Sequence, residues 1–247
     1  MKVIFTILCS MLFFVVSAQK PTHYYVEFKT SKGNVLVELL NETPQHRDNF
    51  KKLVEEGYYD SLLFHRVINN FMIQSGDPNS RNAADGEMLG NGGPDYKVSA
   101  EIKKDIFHVK GALGAARDNN PEKASSGSQF YIVQGRKFTE AGLDSLETLR
   151  MKGVKFSAEQ RKAYTTVGGT PHLDGNYTVF GRTLEGLAAV DQLAAVATDS
   201  KDRPVTNERI AARLLTKKEA VNLERAQKGL KPKKFMFGGS KSYKLEK

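Results

Sequence analysis

The chain has 247 residues, of which 40% are hydrophobic and 26% are charged, and it carries a formal net charge of +9. This length and apolar content suffice for one well-buried domain and are marginal for two. Cys9 is the single cysteine, which excludes an internal disulfide and any metal site made of several cysteines.

The N-terminal segment has the pattern of an export signal. Lys2 precedes an apolar stretch from Val3 to Val16, and the small residues Ser17 and Ala18 follow it. The alternative is a membrane anchor, but a spanning helix requires ~20 apolar residues. We therefore predict a signal peptide within residues 1–19, cleaved after Ala18. The protein would be periplasmic in a Gram-negative bacterium and secretory or extracellular otherwise.

The next segments predict a hairpin and a helix. Residues 23–30 and 33–40 are rich in β-branched and aromatic side chains, and a Ser-Lys-Gly-Asn turn separates them. Thr43 and Pro44 form a helix start, and Gly57 is a stop signal after an apolar stripe. We expect a β-hairpin followed by an amphipathic helix.

Several short apolar runs, separated by Gly, Asn and Pro clusters, predict an all-β barrel or sandwich. The predicted strands are Leu63 to Val67, Phe71 to Gln74, Ala112 to Ala116, Phe130 to Gln134 and Thr178 to Arg182. A second amphipathic helix is predicted from about Thr183 to Ala195, and a closing strand from Arg209 to Leu215.

Residues 136–171 interrupt this series of strands and have helical signals of their own. An apolar stripe predicts a first helix that ends near Gly153, with members Leu143, Leu146 and Leu149. Ser157 and Gln160 have the spacing of a capping box, which predicts a second helix that ends before Gly168. We therefore expect a helical insert.

The positive charge is concentrated at the C-terminus. Residues 217–247 contain ten Lys or Arg and three Glu, so seven of the nine net charges lie there. Such a tail is more often a solvated, partly disordered appendage than a specific nucleic-acid site. The apolar residues Phe235 to Phe237 leave docking on the domain as an alternative. We assign residues 20–216 to one globular domain and 217–247 to a basic tail.

Three runs of residues carry the functional signal. They are Phe64 to Asp77, FHRVINNFMIQSGD; Ser128 to Val133, SQFYIV; and Leu173 to Gly181, LDGNYTVFG. The first run places an arginine beside large apolar side chains, and this pair can hold a peptide carbonyl and a proline ring together. In this order the runs resemble the cyclophilin family of peptidyl-prolyl cis-trans isomerases, also called rotamases.

The resemblance implies a mainly β fold, a closed eight-stranded antiparallel barrel capped by two helices. It extends from Tyr24 to Leu215 and is interrupted by the insert at 136–171, where compact family members have a short loop. The insert either flanks the substrate groove or packs as a helical hairpin on the barrel wall. The sequence favours neither alternative.

The resemblance also implies a role for each matching residue. Arg66 would be the catalytic donor to the proline carbonyl, and Gln74 would hold this arginine and contact the substrate backbone. The implied proline pocket consists of Phe71, Met72, Tyr131 and Leu173. The residues before the proline would lie along Ala116, Gln129 and Arg117, the last contributing its backbone.

The chain departs from the family pattern at three substrate-binding positions. Tyr131 stands where many members have phenylalanine, and Tyr177 replaces a histidine that is frequent in the eukaryotic type. His172 stands where those members have tryptophan, so it offers less buried area and no indole donor. We expect the first two changes to preserve isomerase activity and the third to weaken cyclosporin binding.

The expected function is rotation of X-Pro bonds in proline-containing polypeptides that are unfolded or partly folded. This reaction breaks no bond, so we expect no cofactor and no metal, and the histidines lack metal-ligand spacing. We interpret His65 as a hydrogen-bonded barrel residue. The alternative is a non-catalytic peptide-binding chaperone module that uses the same groove. We expect a monomer, no specific nucleic acid partner and no membrane span after signal cleavage.

Overall fold

The computed structural model describes residues 21–233. Its helices are α1 Pro44–Glu55, α2 Glu140–Leu149, α3 Ala158–Thr166, α4 Leu187–Ala194 and α5 Lys217–Gln227. The strands are β1 Tyr24–Thr30, β2 Gly33–Leu39, β3 Arg66–Ile68, β4 Met72–Ser75, β5 Lys97–Val98, β6 Ala112–Ala115, β7 Ser125–Ser126, β8 Phe130–Val133, β9 Val179–Glu185 and β10 Ala211–Leu214. The predicted signal peptide and the end of the basic tail lie outside the described residues.

Eight strands form one antiparallel sheet, in the order β10-β1-β2-β9-β6-β8-β4-β3, and β5 pairs separately with β7. A closed barrel would require β3 to pair with β10, and no such ladder exists within residues 21–233. Single backbone bonds cross this seam instead, from Ser61 N to Ile210 O at 2.8 Å and from Phe64 N to Glu208 O at 2.9 Å. The eight predicted antiparallel strands are present, but strand pairing does not close them into a ring.

The main core lies between the concave face of this sheet and two helices. Phe50 of α1 packs against the rings of Phe130 and Phe180, with centroids 5.3 and 5.1 Å away. Val190 and Leu193 of α4 are fully buried in the same core. The two predicted amphipathic helices are therefore present, and both pack against the sheet in this core.

The boundary between the last long strand and α4 differs from the prediction. Residues 183–185, predicted as helix, continue β9, because they pair with β2 across a bulge between Leu36 and Val37. Gly186 then ends the strand with φ +89°, and a Cβ there would lie 2.1 Å from the carbonyl oxygen of Asn34. The turn therefore requires glycine, and the helix begins only at Leu187.

The insert contains the two predicted helices, α2 and α3. The predicted capping box of Ser157 and Gln160 is present at the start of α3. The two helices share a small core in which Leu143, Phe156 and Tyr164 are buried against Phe107 and other side chains. Leu149, placed on the predicted stripe, is instead 81% exposed. The insert thus packs on the chain beside the sheet and has an apolar core of its own.

The expectation of a solvated tail is wrong for its first third. Residues 217–227 form α5, which begins with a capping box of Thr216 and Glu219. Ala220 and Leu223 of α5 are buried against Tyr25 of β1. The physical reason is that the apolar side chains of this segment share one helical face, which the total charge of the segment conceals. The triplet Phe235 to Phe237 lies outside the described residues.

No helix between residues 21 and 233 is both long enough and apolar enough to cross a bilayer.

Candidate active site

A row of cross-strand neighbours places the predicted catalytic residues together. Arg66 of β3 pairs with Gln74 of β4, Gln74 pairs with Tyr131 of β8, and Tyr131 pairs with Gly114 of β6. Directly opposite residues of antiparallel strands project from the same face of the sheet. Their sequence neighbours, among them Ile73, belong to the main core, so this row lies on the outer face. Antiparallel register alone brings residues 66, 74 and 131 together.

Gly114 is required by the position of Tyr131. A Cβ at residue 114 would lie 2.3 Å from the Tyr131 ring. The tyrosine ring therefore lies across the backbone of β6, where only glycine leaves room.

A chain of side-chain amides sets the orientation of Gln74. The Nε2 of Gln129 donates to the carbonyl oxygens of Gly90 and Gly92, both at 2.8 Å. Because these carbonyls can only accept, the Oε1 of Gln129 is left to accept from Gln74 Nε2 at 3.0 Å. The Oε1 of Gln74 consequently faces Arg66, whose Nη1 lies 3.4 Å away. The predicted support of Arg66 by Gln74 is thus present as a long hydrogen bond.

Arg66 has room to reorient toward a ligand. Its side chain is 43% exposed, and its Nε lies 3.6 Å from a carboxylate oxygen of Asp202. An exposed ion pair at this distance contributes at most about 1 kcal/mol. The guanidinium therefore lies at the cleft edge with donors available for an incoming carbonyl.

Next to Arg66 is a cleft of about 320 Å³ with an apolar floor. The predicted residues that line it are Arg66, Phe71, Met72, Gln74, Ala116, Arg117, Tyr131, Leu173 and Tyr177. Met72, Tyr131 and Leu173 are buried in one apolar cluster, against which Phe71 and Tyr177 pack. A neighbouring groove of about 550 Å³ contains Gln129 and shares Gln74, Ala116 and Arg117 with the cleft.

Two residues predicted to bind the substrate, His172 and Arg117, have side chains that contact other parts of the protein. The ring of His172 does not line the cleft but stacks behind Phe71, with centroids 5.4 Å apart. Burial is the main cause that lowers the pKa of His172. The Arg117 side chain donates to the carbonyl oxygen of Asn176 at 2.8 Å and lies over the ring of Tyr177 at 4.9 Å. This side chain therefore holds the loop that carries Tyr177.

A buried hydrogen-bonded chain joins the cleft floor to the insert. The hydroxyl of Tyr131 lies 2.9 Å from Nε2 of His108, and Nδ1 of His108 lies 2.8 Å from Oδ1 of Asp174. The Oδ2 of Asp174 accepts from the hydroxyl of Tyr164 at 2.6 Å and from Gln160 at 2.9 Å. Because the Asp174 carboxylate accepts, Nδ1 of His108 donates to it and Nε2 accepts from Tyr131.

This chain determines what the cleft floor offers to a ligand. Burial raises the pKa of Tyr131 well above its ordinary value, so the hydroxyl stays protonated and donates a hydrogen bond to Nε2 of His108. The hydroxyl is therefore occupied, and the ring presents an apolar face, as phenylalanine would. His108, Asp174 and Tyr164 were missed by the sequence analysis, because their separations along the chain give no local motif.

Other cleft residues were also missed, namely Leu89, Gly90, Asn91 and Lys201. Asp77 positions the glycine segment by accepting from the backbone N of Gly90 and of Gly92.

His65 was expected to be hydrogen-bonded, and this is wrong, because neither ring nitrogen has a partner in the part of the chain that the structure describes. Burial lowers the pKa of His65 to about 4, so the ring is neutral near pH 7.

Comparison with known proteins agrees with this geometry. Residues 25–213 match the family described as cyclophilin type peptidyl-prolyl cis-trans isomerase/CLD. A Schizosaccharomyces pombe peptidyl-prolyl cis-trans isomerase is 33% identical over 181 residues, which cover 73% of this chain and 91% of the relative. A Staphylococcus haemolyticus protein, provisionally named as the same enzyme, is 36% identical over 73% of this chain and 85% of its own length.

A solved structure supports the fold. The crystal structure of a Cryptosporidium parvum cyclophilin type peptidyl-prolyl cis-trans isomerase superposes with a TM-score of 0.59 at 22% identity, covering 78% of this chain and 98% of that protein. Another structure of that protein was determined in the presence of the dipeptide Ala-Pro. From the family match, which spans most of the sequence, we conclude that this chain belongs to the cyclophilin-type peptidyl-prolyl cis-trans isomerases.

Proposed function

We propose that the chain rotates X-Pro bonds of exported, unfolded or partly folded proteins, with Arg66 stabilising the twisted amide. The observation that carries this proposal is the position of a half-exposed guanidinium at the edge of a cleft with an apolar floor. Amide resonance sets a rotational barrier of about 18–20 kcal/mol. Catalysis therefore requires tighter binding of the twisted amide than of either planar isomer.

Arg66 supplies the donors for this differential binding. The proline ring occupies the floor formed by Met72, Tyr131 and Leu173, and the guanidinium donates to the carbonyl of the proline residue. As the amide twists, its nitrogen loses resonance and gains a lone pair. A fixed positive charge that cannot deprotonate stabilises this polarised state. Gln74 limits the directions in which the arginine can point, through its own oriented Oε1.

The rival function is a peptide clamp that binds the proline without rotating it. An apolar pocket alone would suffice for a clamp, whereas Arg66 beside it is what rotation requires. Replacing Arg66 by Ala removes a charged hydrogen-bond donor, worth roughly 1.5 to 3 kcal/mol. Since about 1.4 kcal/mol is tenfold in rate, the isomerase rate should fall at least ten- to a hundredfold.

The test measures the cis–trans exchange of a short X-Pro peptide with the intact chain and with Arg66→Ala. Lys201→Ala is the matched control, because it removes another cation that lines the cleft, one whose Nζ lies 3.9 Å from the sulfur of Met88. The proposal predicts that Arg66→Ala keeps the native circular dichroism spectrum and peptide binding while losing rate. If the intact chain binds the peptide without accelerating exchange, the clamp is correct.

Export is proposed from the sequence of residues 1–19, with its short apolar stretch followed by Ser17 and Ala18. The clients would then be proteins that fold outside the cytoplasm. N-terminal sequencing of the protein recovered from cell fractions tests this. A mature chain starting at Gln19 in an exported fraction supports it, and an intact Met1 in the cytosol contradicts it.

A further inference from the structure

A groove of about 370 Å³ lies on the insert, outside the proline cleft. Phe138 and Arg136 contribute to it from the segment after β8, and Leu146 and Leu149 contribute from α2. We call it the insert groove. Leu149 is 81% exposed, although it is a large apolar residue on a helix that has its own core. Leu149 adjoins Leu146 and Phe138 in the groove lining, so the exposed apolar surface there is contiguous, as at ligand sites.

The acidic side chains of helix α2 lie on one face, and the residues that line the groove lie on the other. Glu140, Asp144 and Glu147 all bind the guanidinium of Arg161, at 2.7 to 2.9 Å. Residues 142, 145, 146 and 149, which line the insert groove, lie on the opposite face by helical periodicity. The carboxylates of this helix are thus turned away from the groove and neutralised by α3.

The groove itself is surrounded by positive charge. Arg136, Lys137 and Arg150 are exposed at the groove, and no carboxylate side chain lines it. None of these cations has an ion-pair partner among the residues that the structure describes; Arg136 instead lies over the ring of Phe138 at 4.8 Å. Three uncompensated cations around an apolar surface fit a peptide with an acidic side chain beside an apolar one.

The insert groove and the proline cleft share no lining residue, but Phe71 and the segment after β8 connect their walls. The backbone N of Gln134 and of Gly135 donates to the carbonyl oxygen of Phe71, at 3.1 and 3.0 Å, which places Arg136 close behind the cleft wall. His172 stacks on the same Phe71. The positive charges of Arg150 and Arg136 act on His172 and, after burial, contribute to lowering its pKa. Phe71 and His172 therefore lie between the two cavities.

We infer that the insert groove is an additional substrate subsite, which binds the client segment that follows the proline and prefers an acidic side chain there. This inference rests on the proposed function. If the residues before the proline occupy the groove at Gln129, the residues after it leave the cleft on the side of Phe71 and His172. An extended chain advances ~3.3 Å per residue, so the preference should be confined to a few positions after the proline.

The test uses synthetic peptides with a single X-Pro bond and one glutamate, or one lysine, at each successive position after the proline. Each exposed ion pair contributes little, so several cations together should give a three- to tenfold lower Kd for glutamate than for lysine. The difference should shrink as salt is raised. Arg150→Glu leaves a positive balance at the groove and should weaken the preference, and Arg150→Glu combined with Lys137→Glu makes the balance negative and should reverse it.

Lys162→Glu is the matched control, because Lys162 is an exposed cation of the same insert that does not line the groove. It should leave the preference unchanged. Equal Kd values for glutamate and lysine at every position, or a preference that survives both groove variants, would overturn the inference. A peptide that ends directly after the proline reports on the proposed function separately: its isomerisation must proceed at the wild-type rate in all these variants. If it proceeds while no charge preference exists, only the subsite is wrong.

Discussion

The strands that carry Arg66 and the segment that carries Leu173 build different parts of the proline cleft by different means. On the strand side, backbone pairing of β3, β4 and β8 fixes which residues are neighbours. On the other side, Leu173 and Tyr177 lie in an irregular segment, whose Asp174 is bonded to His108 and to Tyr164 of the insert. The strand side of the cleft therefore depends on strand register, and the side formed by Leu173 and Tyr177 depends on a few buried side-chain hydrogen bonds.

This difference has a physical consequence. When a side chain on a strand pair is replaced, the backbone hydrogen bonds between the strands remain. Substitutions there should therefore change the chemistry of the cleft and leave the positions of the neighbouring side chains unchanged. A buried carboxylate such as Asp174, which accepts from several donors, is stabilised only while those donors remain. We therefore expect the segment 171–177 to depend on the insert, and the strand side to depend on it only through the hydrogen bond between Tyr131 and His108. The predictions below test that contrast.

The largest change in the free energy of unfolding is expected for a substitution where the insert rejoins the sheet. Gly169 has φ +152°, and a Cβ there would lie 2.2 Å from the carbonyl oxygen of His108. Backbone strain and overpacking together should lower the free energy of unfolding of Gly169→Ala by roughly 4 kcal/mol. Gly153→Ala is the control, with φ +84° and nothing within 4 Å, and should cost about 1 kcal/mol. Urea denaturation measures both, and equal stabilities would show that the insert junction is not constrained.

The next effect concerns a region away from both sides of the cleft, helix α5. Leu223 is fully buried, so Leu223→Ala should lower the free energy of unfolding by about 2–4 kcal/mol. The isomerase rate at 10 °C should remain that of the wild type, because no α5 residue lines the cleft. Leu230→Ala, at a position 49% exposed, should change stability by less than about 0.5 kcal/mol. A Leu223→Ala protein as stable as the wild type would restore the solvated-tail interpretation.

The smallest effect is expected from the link between the insert and the cleft floor. Tyr164→Phe removes one donor to Asp174 and should cost about 1–2 kcal/mol of stability. Because the link also orients Tyr131, KM for an X-Pro peptide should rise about threefold, equivalent to roughly 0.6 kcal/mol, while kcat stays near wild type. The matched control Tyr24→Phe alters an exposed tyrosine and should change neither. An unchanged KM in Tyr164→Phe would mean that the two sides are independent.

The contrast also explains how far the sequence could predict the site. Arg66, Gln74 and Met72 could be grouped from the sequence because they belong to one local run, and they line one cleft because they lie on two paired strands. The link through His108 and Asp174 joins residues 66 positions apart, and sequence spacing carries no signal for such a contact. The lack of hydrogen-bond partners for the His65 ring within the described residues likewise depends on which side chains surround it in the fold, and the sequence does not show this.

The fold shows the same division. The hairpin, α1 and the capping box at Ser157 followed from local patterns and are confirmed. The continuation of β9 to Glu185 depended on a bulge against β2, which overrides the helical pattern of Leu184 and Leu187. The docking of α5 depended on an apolar site at Tyr25 and Leu36 that only the folded sheet creates. Errors therefore occurred where tertiary contacts decided the local structure.

The most direct test of the account is the effect of Arg66→Lys on exchange of an X-Pro peptide, followed by NMR together with its Kd. Lysine keeps the positive charge but lacks the planar fork of donors, so it cannot both bond Gln74 and hold the carbonyl of the proline residue while the X-Pro amide twists. We predict that Kd stays within about threefold of wild type while the exchange rate falls about tenfold or more, which is roughly 1.4 kcal/mol of lost transition-state binding. An Arg66→Lys protein that catalyses exchange at the wild-type rate would contradict the assignment of Arg66 as the catalytic residue.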